Sequence, residues 1–280
     1  MSEKDVIEAT KGLPVTVDSL AEDMNRIGIE PGAVLFIHCS LSSIGWVVGG
    51  PVAVILALEK VVGQDGTIVM PGFTGSLSDP TNWSRPPVPK SWVPVIKESM
   101  PAYRKDITPT RIMGAVAETF RKIDGVLRSN HPQVSFCAKG PKAREITSDH
   151  PLHFGHGDES PLGHMYKLDG KVLMLGTTYE TCTSMHLAEY HAYGENPIIS
   201  VNGAPIFVDG KREWVDIREP ECHDEFFAVI GAEFDKSGDS LRRGKIGQAE
   251  SRYFGIRDVV DFSERWMREN RPEIYVTGSD

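Results

Sequence analysis

The sequence predicts an α/β fold: one three-layer α/β/α domain over residues 1–280, with a mixed central sheet and a small antiparallel excursion. Three observations carry this expectation. Short apolar runs recur in "AVLFI", "GTIVMPGF" and "KVLMLGT", as in strands buried on both faces. Segments of helical periodicity separate them, joined by short turns, which is the pattern of parallel β-α-β units. Finally, "ISVNGAPIFVDGKREWVDI" contains N-G and D-G pairs between β-type residues, a hairpin signature.

Taken in order, "TVDSLAEDMNRIGI" (16–29) puts Leu20, Met24 and Ile27 on one helical face, with Thr16 or Asp18 able to cap it. Pro31-Gly32 turns the chain into a strand, Ala33 to Ile37. A serine- and glycine-rich loop, "LSSIGWVVGG", precedes the helix "PVAVILALEKVVG", with Pro51 at its first turn. "GTIVMPGF" is the second strand. Residues 75–112 hold seven prolines together with Trp83, Trp92 and Tyr103, without periodicity, and read as a long loop of the kind that forms lids or binding surfaces. "IMGAVAETFRKI" returns to helix, "SFCAKG" to strand and "PKAREIT" to helix. Residues 150–164 are again irregular, and "KVLMLGT" runs straight into a helix over 183–196. The hairpin follows, with turns expected at Asn202-Gly203 and Asp209-Gly210, then helices around 224–235 and 257–269. No repeat, linker or domain boundary interrupts the chain.

Composition excludes more than it identifies. The formal net charge of −9 argues against non-specific nucleic-acid binding and suits a cationic ligand. No run approaches the roughly 18 apolar residues of a membrane span, and "MSEKDVIEATKGLP" is polar and acidic, unlike a signal peptide. Cys39, Cys137, Cys182 and Cys222 are scattered with no C-x-x-C pair, which fits free thiols in a reduced cytoplasmic setting.

Chemistry concentrates in "TSMHLAEYHAYGEN". A helical zinc pair needs ligands at i and i+4, but Tyr190 stands where His186 would need its partner, and His191 is one residue too far. His186 and Glu189, three apart, share a helical face just after a strand end. A histidine so placed accepts a proton while the carboxylate orients it; the same spacing also makes ordinary surface ion pairs. In "IHCSLSSIG", Ser40, Ser42, Ser43 and the N–H groups around Gly45 lie between a strand and a helix start, where anions bind, although turn-forming hydroxyls look the same. Neither G-x-G-x-x-G, the P-loop pattern nor G-x-S-x-G occurs. "REPECHDEFF" places Glu219, Glu221, Asp224 and Glu225 near a helix start, either as dipole partners or as a carboxylate surface for a polycation. "RSNHPQVSF" sets Arg128, Ser129 and His131 before a strand, or is a turn ordered by Pro132.

Together "IHCSLSSIGWVVGG", "GTIVMPGFT", "DITPTRIMG", "LRSNHPQVSFCAKGP", "GDESPLG", "KVLMLGTTYETCTSMHLAE" and "GKIGQAESRYFGIRDVVDF", in that order, resemble the aminoglycoside 3-N-acetyltransferase family from about residue 17 to 262. That family's fold is distinct from the GNAT acetyltransferases, whose signature is incomplete here: "RYFGIR" ends in Arg257 where a small residue is required. The resemblance implies acetyl transfer from acetyl-CoA to the 3-amino group of an aminoglycoside, an antibiotic-resistance chemistry, with no metal. It makes His186 the catalytic histidine, Glu189 its partner and His38 a neighbour of the thioester. Ser40, Ser42, Ser43, Gly45 and Thr74, with Arg128 and His131, would serve the anionic cosubstrate, and Glu221 and Asp224 the cationic aminoglycoside. Loops 75–112 and 150–164 would border the substrate, and a homodimer is allowed. The competing expectations are a relative acting on another small amine, and a protein that binds a CoA ester or a cationic ligand without turnover.

Overall fold

Strand-forming runs and amphipathic helices alternate as the sequence expects. A computed structural model describes residues 2–194, 197–237 and 240–275. The strands are β1 (Val34–Cys39), β2 (Thr67–Pro71), β3 (Leu127–Arg128), β4 (Phe136–Lys139), β5 (Lys171–Leu175), β6 (Ile199–Val208), β7 (Lys211–Pro220), β8 (Arg242–Ile246) and β9 (Ala249–Gly255). The helices are α1 (Glu3–Ala9), α2 (Val17–Ile27), α3 (Gly50–Val62), α4 (Val93–Ser99), α5 (Gly114–Phe120), α6 (Ala143–Thr147), α7 (Pro161–Lys167), α8 (Ser184–Tyr193), α9 (Phe227–Ser237), α10 (Ile256–Asn270) and α11 (Pro272–Tyr275).

A seven-stranded mixed sheet runs in the order β3-β4-β2-β1-β5-β9-β8, with β6 and β7 forming a separate two-stranded sheet. Central β1 is parallel to β2 and β5, while β4 and β9 flank this core antiparallel. Side chains of successive residues point to opposite faces. Leu35, Ile37, Ile68, Met70, Leu173 and Leu175 therefore pack with Leu20, Met24, Val54, Leu58 and Phe120 of α2, α3 and α5. Phe36, Val69, Val172 and Met174 pack on the other face with Leu162, Leu187, Ile230, Val259 and Met267 of α7 to α10. Helices on both faces make the three layers. His38 is two residues beyond Phe36 and so belongs to the α8 side. Thr16 caps α2, its side chain accepting from Ser19 N–H in a capping box, and Gly28 closes the helix at φ 92°.

Four local expectations change. Asn202-Gly203 is no turn: β6 runs through it, pairing Asn202 with Ile217 and Gly203 with Asp216, and only Asp209-Gly210 reverses the chain. Gly203 is required there because a Cβ would meet the Trp214 ring at 2.4 Å. Strands β8 and β9 extend the main sheet where sequence periodicity marks none. The helix expected over 183–196 is α8, ending at Tyr193, and Glu195 and Asn196 lie outside the described residues. The 75–112 stretch, expected as loop throughout, contains α4 and packs on the hairpin: Tyr103 N–H donates to the Pro205 carbonyl (2.9 Å), and Lys97 lies over the Trp214 ring.

Gly231 in α9 lies against Tyr179, in the short turn that leads into α8; a Cβ there would sit 2.0 Å from the ring. That ring is stacked on Phe254 and tied by its hydroxyl to Asp235 (2.8 Å), so it has nowhere to retreat. Gly231→Ala is expected to cost about 1–3 kcal/mol, the usual range for overpacking, read as a lower urea midpoint with unchanged slope.

Candidate functional site

Strands β1, β2 and β5 are mutually parallel and end at the same edge of the sheet, the position where α/β folds open their ligand crevices. A cavity of about 1040 Å³ opens there, lined by residues 37–42 at the end of β1 and just beyond it, Met70 and Pro71 of β2, Met113, and Thr177, Thr183, His186, Asp224 and Phe227 beyond β5. Glu3 and Val6 of α1 and Trp46 stand on its wall, where Trp46 Nε1–H donates to Glu3 (3.1 Å).

His186 sits one turn into α8. Its Nδ1–H donates to Glu189 Oε2 at 2.8 Å. Glu189 is only 2% exposed, and the second oxygen of its carboxylate accepts from the His223 backbone N–H (2.6 Å) and the Tyr275 hydroxyl (3.3 Å). An acceptor fixed on Nδ1 leaves Nε2 as the lone-pair nitrogen of the neutral ring. The ring is held between His156, stacked at 4.8 Å between centroids with planes 12° apart, and Phe227 at 4.9 Å. Burial opposes charge on His186, but Cys222, whose Sγ is 3.5 Å from Nδ1, and the Glu189 carboxylate outweigh it and hold the pKa well above 6.5. The neighbouring imidazoles go the other way. Burial, reinforced by His186, pushes His38 down to about 3, and the same two causes hold His156 well below its usual value. One basic imidazole therefore stands among neutral ones.

Of the residues singled out in the sequence, His38, Ser40, Ser42, Gly45, His186 and Asp224 meet at the cavity. Glu189 is directly behind His186, and Ser43 is behind Ser40, bonded to its hydroxyl (2.8 Å) and to the Gly176 carbonyl (3.2 Å). The structure does not bring the others to the cavity lining. Thr74 is buried and donates to the Pro132 carbonyl. Arg128 gives its donors to the Ser135 hydroxyl (3.0 Å) and to the carbonyls of Thr108 (2.6 Å), Lys105 and Gly72, while lying over Tyr103. His131 Nδ1 accepts from the N–H groups of Gln133 (3.1 Å) and Val134 (3.0 Å). These three brace the loop entries. Glu221 holds the chain through its backbone, to the Ile198 carbonyl and the Tyr193 hydroxyl.

Sequence reasoning missed His156, Thr177, Phe227 and Tyr275. His156 Nε2, His38 Nε2 and Thr177 Oγ1 are buried polar atoms without a hydrogen-bond partner among the described residues. Buried polar atoms are seldom left unpaired; of these three residues His38 and Thr177 line the cavity, where an unpaired atom is open to a ligand. The histidines of "HFGHGDE" were a visible signal, but nothing in their spacing ties them to residue 186. Histidine NMR titration should return a pKa above 6.5 for His186 that drops in Glu189→Gln, with His38 still neutral at about pH 5.

Comparison with known proteins gives the family. Residues 36–268 match the family model described as aminoglycoside 3-N-acetyltransferase. The chain is 45% identical over 268 residues to the SPbeta prophage-derived aminoglycoside N(3')-acetyltransferase-like protein YokD of Bacillus subtilis (strain 168), covering 95% of this chain and 97% of that protein. It superposes on the YokD crystal structure with a TM-score of 0.92, covering 96% of this chain and 99% of the other. It is 34% identical to aminoglycoside N(3)-acetyltransferase VII of Streptomyces paromomycinus, covering 96% of each. It also matches the structure of AAC-IIIb in binary complex with CoASH, at TM-score 0.83 and 29% identity over 96% of this chain and all of that one. Family model, relatives and fold agree: the chain belongs to the aminoglycoside 3-N-acetyltransferase family.

Proposed function

We propose that this protein transfers an acetyl group from acetyl-CoA to the 3-amino group of an aminoglycoside, with His186 as general base and Glu189 as its orienting partner. The observation that carries this reading is the buried Glu189 carboxylate bonded to His186 Nδ1 at 2.8 Å, which makes Nε2 the basic atom of a ring lining the cavity.

Acetyl-CoA, when bound, supplies an activated thioester. The loop from Ser40 to Gly45 suits its arm: Ser40 and Ser42 face the cavity, and Gly45, at φ 97°, turns the chain tightly against Gln248. The relative solved with CoASH supports this choice of cosubstrate. The amine arrives mostly protonated and must lose a proton before or during attack. A base of ordinary histidine strength is poorly matched to an ammonium, so the raised pKa of His186 narrows the gap. Nε2 takes one proton from the ammonium, and the freed nitrogen lone pair forms the amide bond as the C–S bond breaks; the leaving CoA thiolate takes that proton back from Nε2, and the second amine proton goes to solvent. Charge on the carbonyl oxygen meets neutral donors: His38 and Thr177, both at the cavity with unpaired polar atoms. Glu3, Glu180 and Asp224 supply carboxylates on the wall for a polycation.

The deciding assay is CoA release, followed with a thiol reagent, from acetyl-CoA plus gentamicin, kanamycin, neomycin and apramycin, each against a no-amine blank. Turnover with at least one drug is expected. Efficient release only with other small amines would place the substrate elsewhere, and tight acetyl-CoA binding without release from any amine would favour a binding protein. His186→Ala should lower kcat by about 10²–10⁴, the usual contribution of a general base, while acetyl-CoA binding and the circular dichroism spectrum stay intact. Near-wild-type turnover would remove His186 from that role. Thr177→Val should lower kcat more than it changes KM, as for a donor that acts on the developing oxyanion.

A further inference from the structure

The side of His186 that faces away from the reacting amine carries a second arrangement. Nδ1 is approached by two atoms, Glu189 Oε2 at 2.8 Å and Cys222 Sγ at 3.5 Å, and all three lie within 4.8 Å of one another. We propose that His186 Nδ1, Glu189 Oε2 and Cys222 Sγ form an inhibitory binding site for zinc or a similar thiophilic divalent cation.

The donor set is a nitrogen, a sulfur and an oxygen, all of them zinc ligands. Bond lengths of about 2.0–2.3 Å in a tetrahedron put ligand atoms about 3.3–3.6 Å apart. The N···S distance of 3.5 Å already fits. The N···O distance of 2.8 Å is that of a hydrogen bond and opens when a metal replaces the proton. Cys222 is an exposed residue on the loop after β7, so its sulfur can close the remaining gap and the cation can enter from solvent. Glu189 is already oriented as a ligand, because its other oxygen stays fixed by His223 N–H and Tyr275, the outer-shell bonding that aims a ligating carboxylate. Helical spacing could not reveal this set, because the third donor comes from a different element.

The chemical balance is simple. Where the imidazole is neutral, binding releases the thiol proton of Cys222 to solvent and the imidazole proton moves from Nδ1 to Nε2 as Nδ1 takes the metal; where it is an imidazolium, Nε2 keeps its proton and the Nδ1 proton also leaves to solvent. One histidine, one carboxylate and one thiolate neutralise the dication, with water completing the tetrahedron. Nε2 then bears a proton and has no lone pair. A cation on Nδ1 therefore removes the base without entering the acetyl-CoA cavity. The binding itself stands independently of the proposed transfer; only its effect on rate rests on that reading.

Cobalt serves as a spectroscopic probe of the site in chelator-treated protein. Co²⁺ should bind with one thiolate-to-cobalt charge-transfer band in the near ultraviolet, displaced by Zn²⁺ and absent in Cys222→Ser and Cys222→Ala. Zn²⁺ should inhibit wild-type CoA release over the same concentration range as this displacement, reversibly with chelator. Inhibition of each Cys222 variant, relative to its own zinc-free rate, should need at least about tenfold more zinc. A wild-type protein that shows no charge-transfer band overturns the site whatever the enzyme assay shows. So does a band that persists in both variants. Binding that passes the spectroscopic test while zinc leaves turnover untouched would contradict the inhibitory role and the base assignment, and leave the metal site standing.

Discussion

A buried carboxylate determines much of this molecule's organisation. Glu189 has almost no contact with solvent, and a charge in that position is costly unless hydrogen bonds and a partner replace the water it has lost. Its donors come from three places: His186 on the same helix, the His223 backbone beyond the hairpin, and Tyr275 in α11. The carboxylate thus fastens helix α8, the loop after β7 and the C-terminal helix at one point. Removing any donor would loosen a junction between elements and alter the histidine in the same act.

The sheet brings the rest to that junction. Strict alternation along β1 sends Leu35 and Ile37 to one helical layer and Phe36 and His38 to the other. His38 therefore emerges on the α8 side at the strand's carboxyl end. Parallel β5 ends beside it and feeds Thr177, Thr183 and His186 into the same cavity. The environment then differentiates chemically identical side chains. His38 and His156 are buried without a carboxylate and stay neutral, while His186 has Cys222 and Glu189 beside it and is basic. Neutral donors and one basic imidazole at the same cavity suit acyl transfer from a thioester to an amine, the activity proposed above.

Much of this was legible in the residues. Apolar runs identified the buried parallel strands because such strands have no wet face, and the i,i+3 spacing of His186 and Glu189 is local geometry that any helix imposes. What escaped depends on distant chain. Asn202-Gly203 looks like a turn, yet the glycine is there to make room for Trp214, eleven residues on and across the hairpin. Strand β8 carries exposed Arg242, Arg243 and Lys245, charges that suit a sheet edge and hide its strand character. Arg128 and His131 are of residue types that often bind anions, but Arg128 is taken up by the Ser135 hydroxyl and by the carbonyls of Gly72, Lys105 and Thr108, and His131 Nδ1 by two backbone N–H groups of its own turn. Spacing shows which residues share a face; it does not show which loop will arrive to use their hydrogen bonds.

If Glu189 acts on chemistry through His186, the two residues form one unit and their substitutions cannot be additive. The most direct measurement is a double-mutant cycle on kcat with His186→Ala and Glu189→Gln, using whichever amine is turned over, with folding checked for each variant. Glu189→Gln should slow the enzyme in the wild-type background and have little further effect once His186 is gone. Equal losses in both backgrounds would contradict the pairing and assign the carboxylate to structure alone.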